Sequence, residues 1–252
     1  MNLFNKQYRG KKVLITGHTG FKGTWLTLWL ILLGAKVCGF SNKDKTNPSF
    51  FEILKLKNKV RNIYGDISKI DQISNVVKSF QPDIIFHLAG QALVKEAYRD
   101  PHKTFSTNSF GTLNILKASE KSKKLKAIVL ITSDKVYKNI EIKRGYKEND
   151  IIMGNDPYSA SKSCAEIIIN MYLNSYAEKD NVFICTTRAG NVIGGGDWSK
   201  DRIIPDLFIQ WSKSKSLKIR NPNSTRPWQF VLEPLGAYLY LGSELLKKNK
   251  RI

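Results

Sequence analysis

Short runs rich in Val, Ile and Leu alternate with longer stretches whose apolar residues recur every three or four positions, over the first two-thirds of the chain. The short runs, at 12–16, 36–40, 60–64, 84–88, 127–132 and 182–188, predict strands, and the longer ones, at 21–33, 70–80, 104–122 and 159–178, predict helices. Continuously apolar strands separated by amphipathic helices predict an α/β protein built on a doubly wound parallel sheet. After Arg188 the pattern changes: 191–206 reads as a Gly-, Asp- and Trp-rich loop, followed by a helix at 207–214, a short strand at 217–220 and a last helix at 233–248. The break predicts a large domain over 1–190 and a smaller, incomplete substrate-binding lobe over 191–252.

Composition narrows this only slightly. A chain of 252 residues that is 42% hydrophobic can bury a sizeable core. The formal charge of +20 comes mostly from scattered lysines with no aromatic–arginine platform, so it reads as solvated faces and not as a nucleic-acid or membrane surface. The start carries no apolar signal region, and the run at 25–33 is too short to span a bilayer, which predicts a cytoplasmic protein. Cys38, Cys164 and Cys185 lack ligand spacing and read as reduced, mostly buried thiols; with His18, His87 and His102 equally scattered, no metal site is expected.

Two motifs carry the chemistry. Gly17-His18-Thr19-Gly20-Phe21-Lys22-Gly23 joins the first strand to the first helix. Free N–H groups and the helix dipole there suit a pyrophosphate, which predicts a dinucleotide site at the carboxyl ends of the strands. Downstream, Tyr158-Ser159-Ala160-Ser161-Lys162 sets a phenol and an ammonium one helical turn apart. A sugar hydroxyl releases hydride only once its proton leaves, and Tyr158 can take that proton if Lys162 draws its pKa from about 10 towards neutrality. Ser133-Asp134-Lys135 ends the strand at 127–132 and supplies an acid–base pair.

The spacing Gly17-x-x-Gly20-x-x-Gly23 with a later Tyr-x-x-x-Lys resembles the extended short-chain dehydrogenase/reductase family, with its Rossmann fold. His87-Leu88-Ala89-Gly90-Gln91, Thr132-Ser133-Asp134-Lys135-Val136-Tyr137, Arg188 through Trp198 and Arg226-Pro227-Trp228-Gln229 resemble, within it, the nucleotide-sugar 4,6-dehydratases that act on CDP-glucose. The resemblance implies a lyase that oxidises C4 with NAD, eliminates water across C5–C6 and returns hydride to C6. It implies Ser133 and Tyr158 at the C4 oxygen, Asp134 as acid to the C6 hydroxyl, Lys135 as a neutral base at C5 and Lys162 on the nicotinamide ribose. It assigns cofactor contacts to Gly17, Thr19, Gly20, Phe21, Lys22, Gly23, Asp66, Ile67, Leu88, Ala89 and Gln91, besides Tyr158 and Lys162. Substrate contacts fall on Asn191, Arg202 and Arg226, with Asp197, Trp198 and Asp201 shaping the nucleotide pocket. A homodimer through helices 104–122 and 159–178 is also implied.

The chain departs from the pattern in places. Phe230 stands where the family has histidine, Gly90 replaces alanine, harmlessly on this reading, and no acidic residue ends the second strand to grip a ribose 2′-hydroxyl. Lys43 and Lys45 keep NADP as the alternative cofactor. The family's members continue beyond position 252, so the resemblance implies a lobe lacking its end, hence intact NAD binding but weak sugar-nucleotide binding and slow turnover. Two other functions share the cofactor turn: a nucleotide-sugar 4-epimerase and a shortened, non-catalytic nucleotide-binding protein.

Overall fold

The computed structural model describes residues 3–43, 46–176, 182–216, 218–219 and 222–247. The six expected strands form: β1 (Lys12–Thr16), β2 (Lys36–Ser41), β3 (Arg61–Tyr64), β4 (Ile84–His87), β5 (Ala127–Ile131) and β6 (Phe183–Thr187). They lie in the order β3-β2-β1-β4-β5-β6, all parallel, with Leu14 opposite Cys38 on one side and Ile85 on the other. The order reverses between β1 and β4, which opens a crevice at the carboxyl ends of those strands.

The helices are α1 (Phe21–Leu32), α2 (Phe50–Ile53), α3 (Ile70–Phe80), α4 (Val94–Arg99), α5 (Pro101–Phe105), α6 (Gly111–Ser119), α7 (Pro157–Ser175), α8 (Ile203–Trp211) and α9 (Leu232–Lys247). The period-2 alternation of the strands separates two cores. Leu14, Phe40, Ile85, Ile128 and Leu130 pack under α3, α6 and α7. Val13, Ile15, Phe86, Val129 and Ile131 pack under α1 and α9. Each buried Leu, Ile or Val side chain contributes about 1.5–3 kcal/mol of apolar transfer, and both faces of the sheet are covered.

Four expectations need correction. The helix expected over 104–122 is three pieces: Asp100 caps Lys103 N at 2.9 Å, α5 starts at Pro101, and a π-helical stretch (Ser106–Phe110) precedes α6. The loop expected over 191–206 contains β7 (Asn191–Ile193), paired in parallel with β8 (Trp228–Phe230), and α8 starts before 207. α9, assigned by sequence to the second lobe, packs on the sheet, because Leu235, Tyr238, Leu239 and Leu246 share one helical face that buries against β5 and β6. Of the thiols, only Cys38 is fully buried, its pKa pushed up to about 12 by burial; Cys164 and Cys185 are half-buried. The strand expected at 217–220 depends on Leu217 and Arg220, and the NADP argument on Lys45, all outside the described residues. No helix among the described residues is long and apolar enough to cross a membrane, and they contain no cluster of His, Cys, Asp or Glu able to hold a metal ion.

Candidate active site

The turn after β1 fits a dinucleotide. Gly17 has φ +76°, a left-handed conformation open to glycine, and a Cβ there would stand 2.8 Å from Ala89 N. At Gly23 a Cβ would meet Gly17 O at 2.0 Å, so only glycine lets α1 start this close to the turn. Gly20 is the N-cap of α1 and has no side chain to cap the helix, which leaves the first N–H groups to a ligand. Thr19 Oγ1 lies 2.9 Å from Ser41 Oγ and ties the turn to the end of β2.

Beyond the ends of β2 and β3 an open cleft of about 590 Å³ is lined by Phe40, Asn42, Lys43, Tyr64, Asp66 and Gln72. The carboxylate missing from β2 has a counterpart in Asp66, which accepts from Ser68 N at 2.9 Å and Ser68 Oγ at 2.8 Å. Ile67 is buried in the core, so only its backbone faces outward chemistry; its carbonyl accepts from Asn114. Leu88 and Ala89 bond to Thr16 through their N–H groups, and the Gln91 carboxamide is occupied with Leu93 of its own loop and Thr104 of α5.

Tyr158 and Lys162 occupy the first turns of α7, which Asp156 caps by accepting from Tyr158 N at 2.9 Å and Ser159 N at 3.1 Å. Lys162 Nζ donates to Ile131 O at 3.2 Å. Ser133 Oγ donates to Asp134 Oδ1 at 3.1 Å, and the same oxygen is hydrogen-bond partner to the Tyr158 phenol. Lys135 Nζ lies 5.8 Å from the centre of the Tyr158 ring. The strand-end turn and the helix-borne pair, 23 residues or more apart in sequence, therefore share one pocket.

The electrostatics differ from the expectation. Burial holds the Tyr158 phenol above its ordinary range, and only the Ser133 hydrogen bond and the Arg202 cation act the other way. Desolvation outweighs that hydroxyl and that one cation, so the direction in the isolated chain is opposite to the expected fall towards neutrality. Burial also raises Asp134, against Ser133, Lys135 and Arg226, and so favours the protonated acid. Lys162 is pushed down to about 8 by burial, with Glu166 opposing. Lys22 is also about 8, from burial and then Lys162 and Arg202; its ammonium sits 5.7 Å over the ring of buried Tyr238 and feels Asp134, so it links the glycine turn to the Asp134–Tyr158 cluster.

A depressed lysine binds fewer protons folded than unfolded between about pH 8 and 10, so its destabilising effect is full below pH 8 and is relieved as pH rises. The urea midpoint of the isolated chain is expected to climb over that window, and Lys162→Met to flatten part of the climb. An identical slope in the variant contradicts the assignment.

The outer residues are placed less centrally. Arg202 pairs with Asp197 at 3.0 Å, and its charge reaches Tyr158. Arg226 is exposed, with its charge felt by Asp134; Asn191 is half-buried and bonds Pro227 O through its backbone. Trp198 is 38% exposed beside the glycine turn and so is not core. Asp201 pairs with Lys95, and Phe230 is 49% exposed on β8. At Gly90 an alanine methyl would lie 3.1 Å from Asn108 Oδ1 and 3.3 Å from Lys162 Nζ, so the glycine is accommodated without any shift of these neighbours.

Sequence reasoning missed the scaffold behind the pocket. His87, kept neutral by burial at about 3, links Thr16 at 2.7 Å to Thr112. Asn108, in the π-helical stretch, accepts from Gln91 N at 2.8 Å and donates to Ser161 Oγ at 2.9 Å. Glu166, spaced four residues after Lys162, was the one readable signal.

Residues 14–241 match the family model described as GDP-mannose 4,6 dehydratase. The CDP-glucose 4,6-dehydratase of Salmonella typhimurium is 46% identical over 97% of this chain and 69% of its own length. Among solved structures, an epimerase of Methanothermobacter thermautotrophicus superposes with TM-score 0.82 at 25% identity over 96% of this chain and 71% of its own. A dTDP-glucose 4,6-dehydratase of Streptomyces venezuelae, solved with NAD, superposes with TM-score 0.80 at 19% identity over 92% of this chain and 71% of its own, a likeness of fold.

Proposed function

The chain belongs to the GDP-mannose 4,6-dehydratase family, and from that membership we propose that it converts CDP-D-glucose to CDP-4-dehydro-6-deoxy-D-glucose and water. The observation that carries this reading is Lys135 Nζ over the Tyr158 ring with Asp134, bonded to Ser133, beside it. A 4-epimerase needs the tyrosine–lysine pair but has no use for a second acid–base pair beside it.

NAD is the cofactor in this reading; the turn from Gly17 to Gly23, Lys162 and Asp66 would hold it. When bound, it accepts the C4 hydride and later returns it to C6. Tyr158 and Ser133 hold the C4 hydroxyl, and Tyr158 takes its proton. The resulting ketone acidifies C5–H, and Lys135 removes that proton. Asp134 protonates the C6 hydroxyl, which leaves as water. Lys135 then returns a proton to C5 as the 6-deoxy carbon forms. The proton gained by Tyr158 balances the one given by Asp134, so the site resets by exchange with solvent. Asn191, Arg202 and Arg226 are assigned to the nucleotide diphosphate, which an arginine fork engages in pairs.

Two properties accompany the reading. The π-helical stretch before α6 and the outward face of α7 expose Phe110 at 58% and Ile167 at 60%, with Met171 a turn further on. We assign this face to a homodimer; sedimentation at micromolar concentration is expected to give a dimer and Ile167→Glu a monomer, whereas a monomeric wild type contradicts it. Free thiols and a nucleotide-sugar substrate suit the cytoplasm. The functional test is incubation with NAD or NADP and CDP-glucose: formation of a 4-keto-6-deoxy product with NAD supports the reading, and interconversion of C4 epimers without dehydration overturns it.

A further inference from the structure

Two halves of the chemistry sit on separate pieces of chain: Tyr158 and Lys162 on α7, and Asp134 and Lys135 on the turn after β5. A buried ionic cluster spans them. Glu166, two turns beyond Tyr158 on α7, accepts from Thr132 Oγ1 at 2.5 Å, the residue before the turn. Its carboxylate takes a bidentate pair from Arg188, Nε at 2.8 Å and Nη2 at 3.0 Å. Arg188 Nη1 then donates to the Tyr137 hydroxyl at 2.8 Å and to Glu148 O at 3.1 Å. The guanidinium also lies 5.0 Å over the Tyr137 ring. The side chains of Arg188 and Glu166 are only 16% and 5% exposed.

We propose that Glu166 and Arg188 are positioning residues that fasten both ends of the 133–136 turn, through Thr132 and Tyr137, to the helix carrying Tyr158 and Lys162. The proposal rests on the dehydratase reading above. Neither residue touches the sugar. The clamp has a chemical consequence because oxidation and elimination act on one bound sugar. Asp134 and Lys135 must meet C6 and C5 while Tyr158 still holds the C4 oxygen, and misplacement by about 1 Å costs on the order of a hundredfold. A buried bidentate ion pair fixes distance and angle together, which an apolar contact does not. Loosening it lets the turn drift while Tyr158, capped by Asp156 and braced by Lys162 on Ile131 O, stays in place.

The clamp therefore controls elimination more than oxidation. The test is single-turnover kinetics with NAD and CDP-glucose, following enzyme-bound NADH by absorbance and product by mass spectrometry. Glu166→Gln is expected to form bound NADH at a rate within about threefold of wild type and to discharge it on the order of tenfold or more slowly. Tyr137→Phe keeps the ion pair, removes one anchor of the turn and guards against loss of folding in Glu166→Gln; a smaller delay of the same kind is expected, with an unchanged melting temperature. Glu166→Gln and Arg188→Met combined should slow discharge no more than the worse single change, as members of one unit do. Oxidation and elimination slowed equally, or Tyr137→Phe discharging NADH at the wild-type rate, overturns the proposal. Wild-type protein that converts no CDP-glucose is a different result: it overturns the dehydratase reading, and the clamp's role with it.

Discussion

Tyr158→Phe is expected to lower turnover of CDP-glucose by about 10³-fold while NAD affinity stays within about threefold of wild type. The change removes one hydroxyl from a residue that is buried on the first turn of α7. It leaves the Asp156 cap, the Lys162 bond to Ile131 O and the glycine turn untouched, because all three involve backbone or other side chains. The fold should persist, so the loss falls on the proton transfer at the C4 oxygen. Ser133 alone then holds that oxygen and cannot take its proton. Calorimetry with NAD and a product assay separate the two effects; turnover within about tenfold of wild type contradicts the role given to Tyr158.

Much of this site was legible before any coordinates. Lys12–Thr16 and Ile70–Phe80 match the expected bounds because their apolar periods are strong and their ends are marked by Gly17 and by the turn at Gln81. The glycine turn and Tyr158–Lys162 were readable as spacings. Contacts set by tertiary structure were not. The pairing of Asn191 with Trp228 joins two three-residue strands far apart in sequence, and no local period announces it. The start of α5 at Pro101 was marked by a proline after aspartate, but the apolar spacing over 104–122 hid the π-helical stretch at 106–110 that divides it. Burial defeated the expectation for Tyr158, since spacing shows a cation one turn away but not the desolvation that opposes it. The same limit applies to Glu166: its spacing from Lys162 was in the chain, whereas its partners Thr132 and Arg188 arrive from other strands.

Asp134→Asn is expected to stop the reaction after oxidation. Burial raises the Asp134 carboxyl, a shift in the direction that suits an acid to the departing C6 hydroxyl, whereas an amide is too weak an acid for that transfer. The hydrogen bond from Ser133 Oγ can still be accepted by the amide oxygen, so the turn keeps its shape. C4 oxidation proceeds, with Tyr158 taking the hydroxyl proton and NAD the hydride, water leaves about 10²–10³-fold more slowly, and the reduced cofactor remains bound. A lasting absorbance of bound NADH, stoichiometric with sites, is the signature. An Asp134→Asn protein that turns over at the wild-type rate, as an epimerase would, rejects the dehydratase assignment.

The central claim is that this pocket runs an oxidation and its reversal on one sugar, with a dehydration in between. The measurement that tests it most directly follows product and cofactor together during incubation of the wild-type chain with NAD and CDP-glucose. The account predicts many equivalents of 4-keto-6-deoxy product per site, with deuterium from the C4 position recovered at C6 and no accumulation of free NADH. Steady, stoichiometric release of NADH, or a product that keeps its C6 hydroxyl, would contradict it.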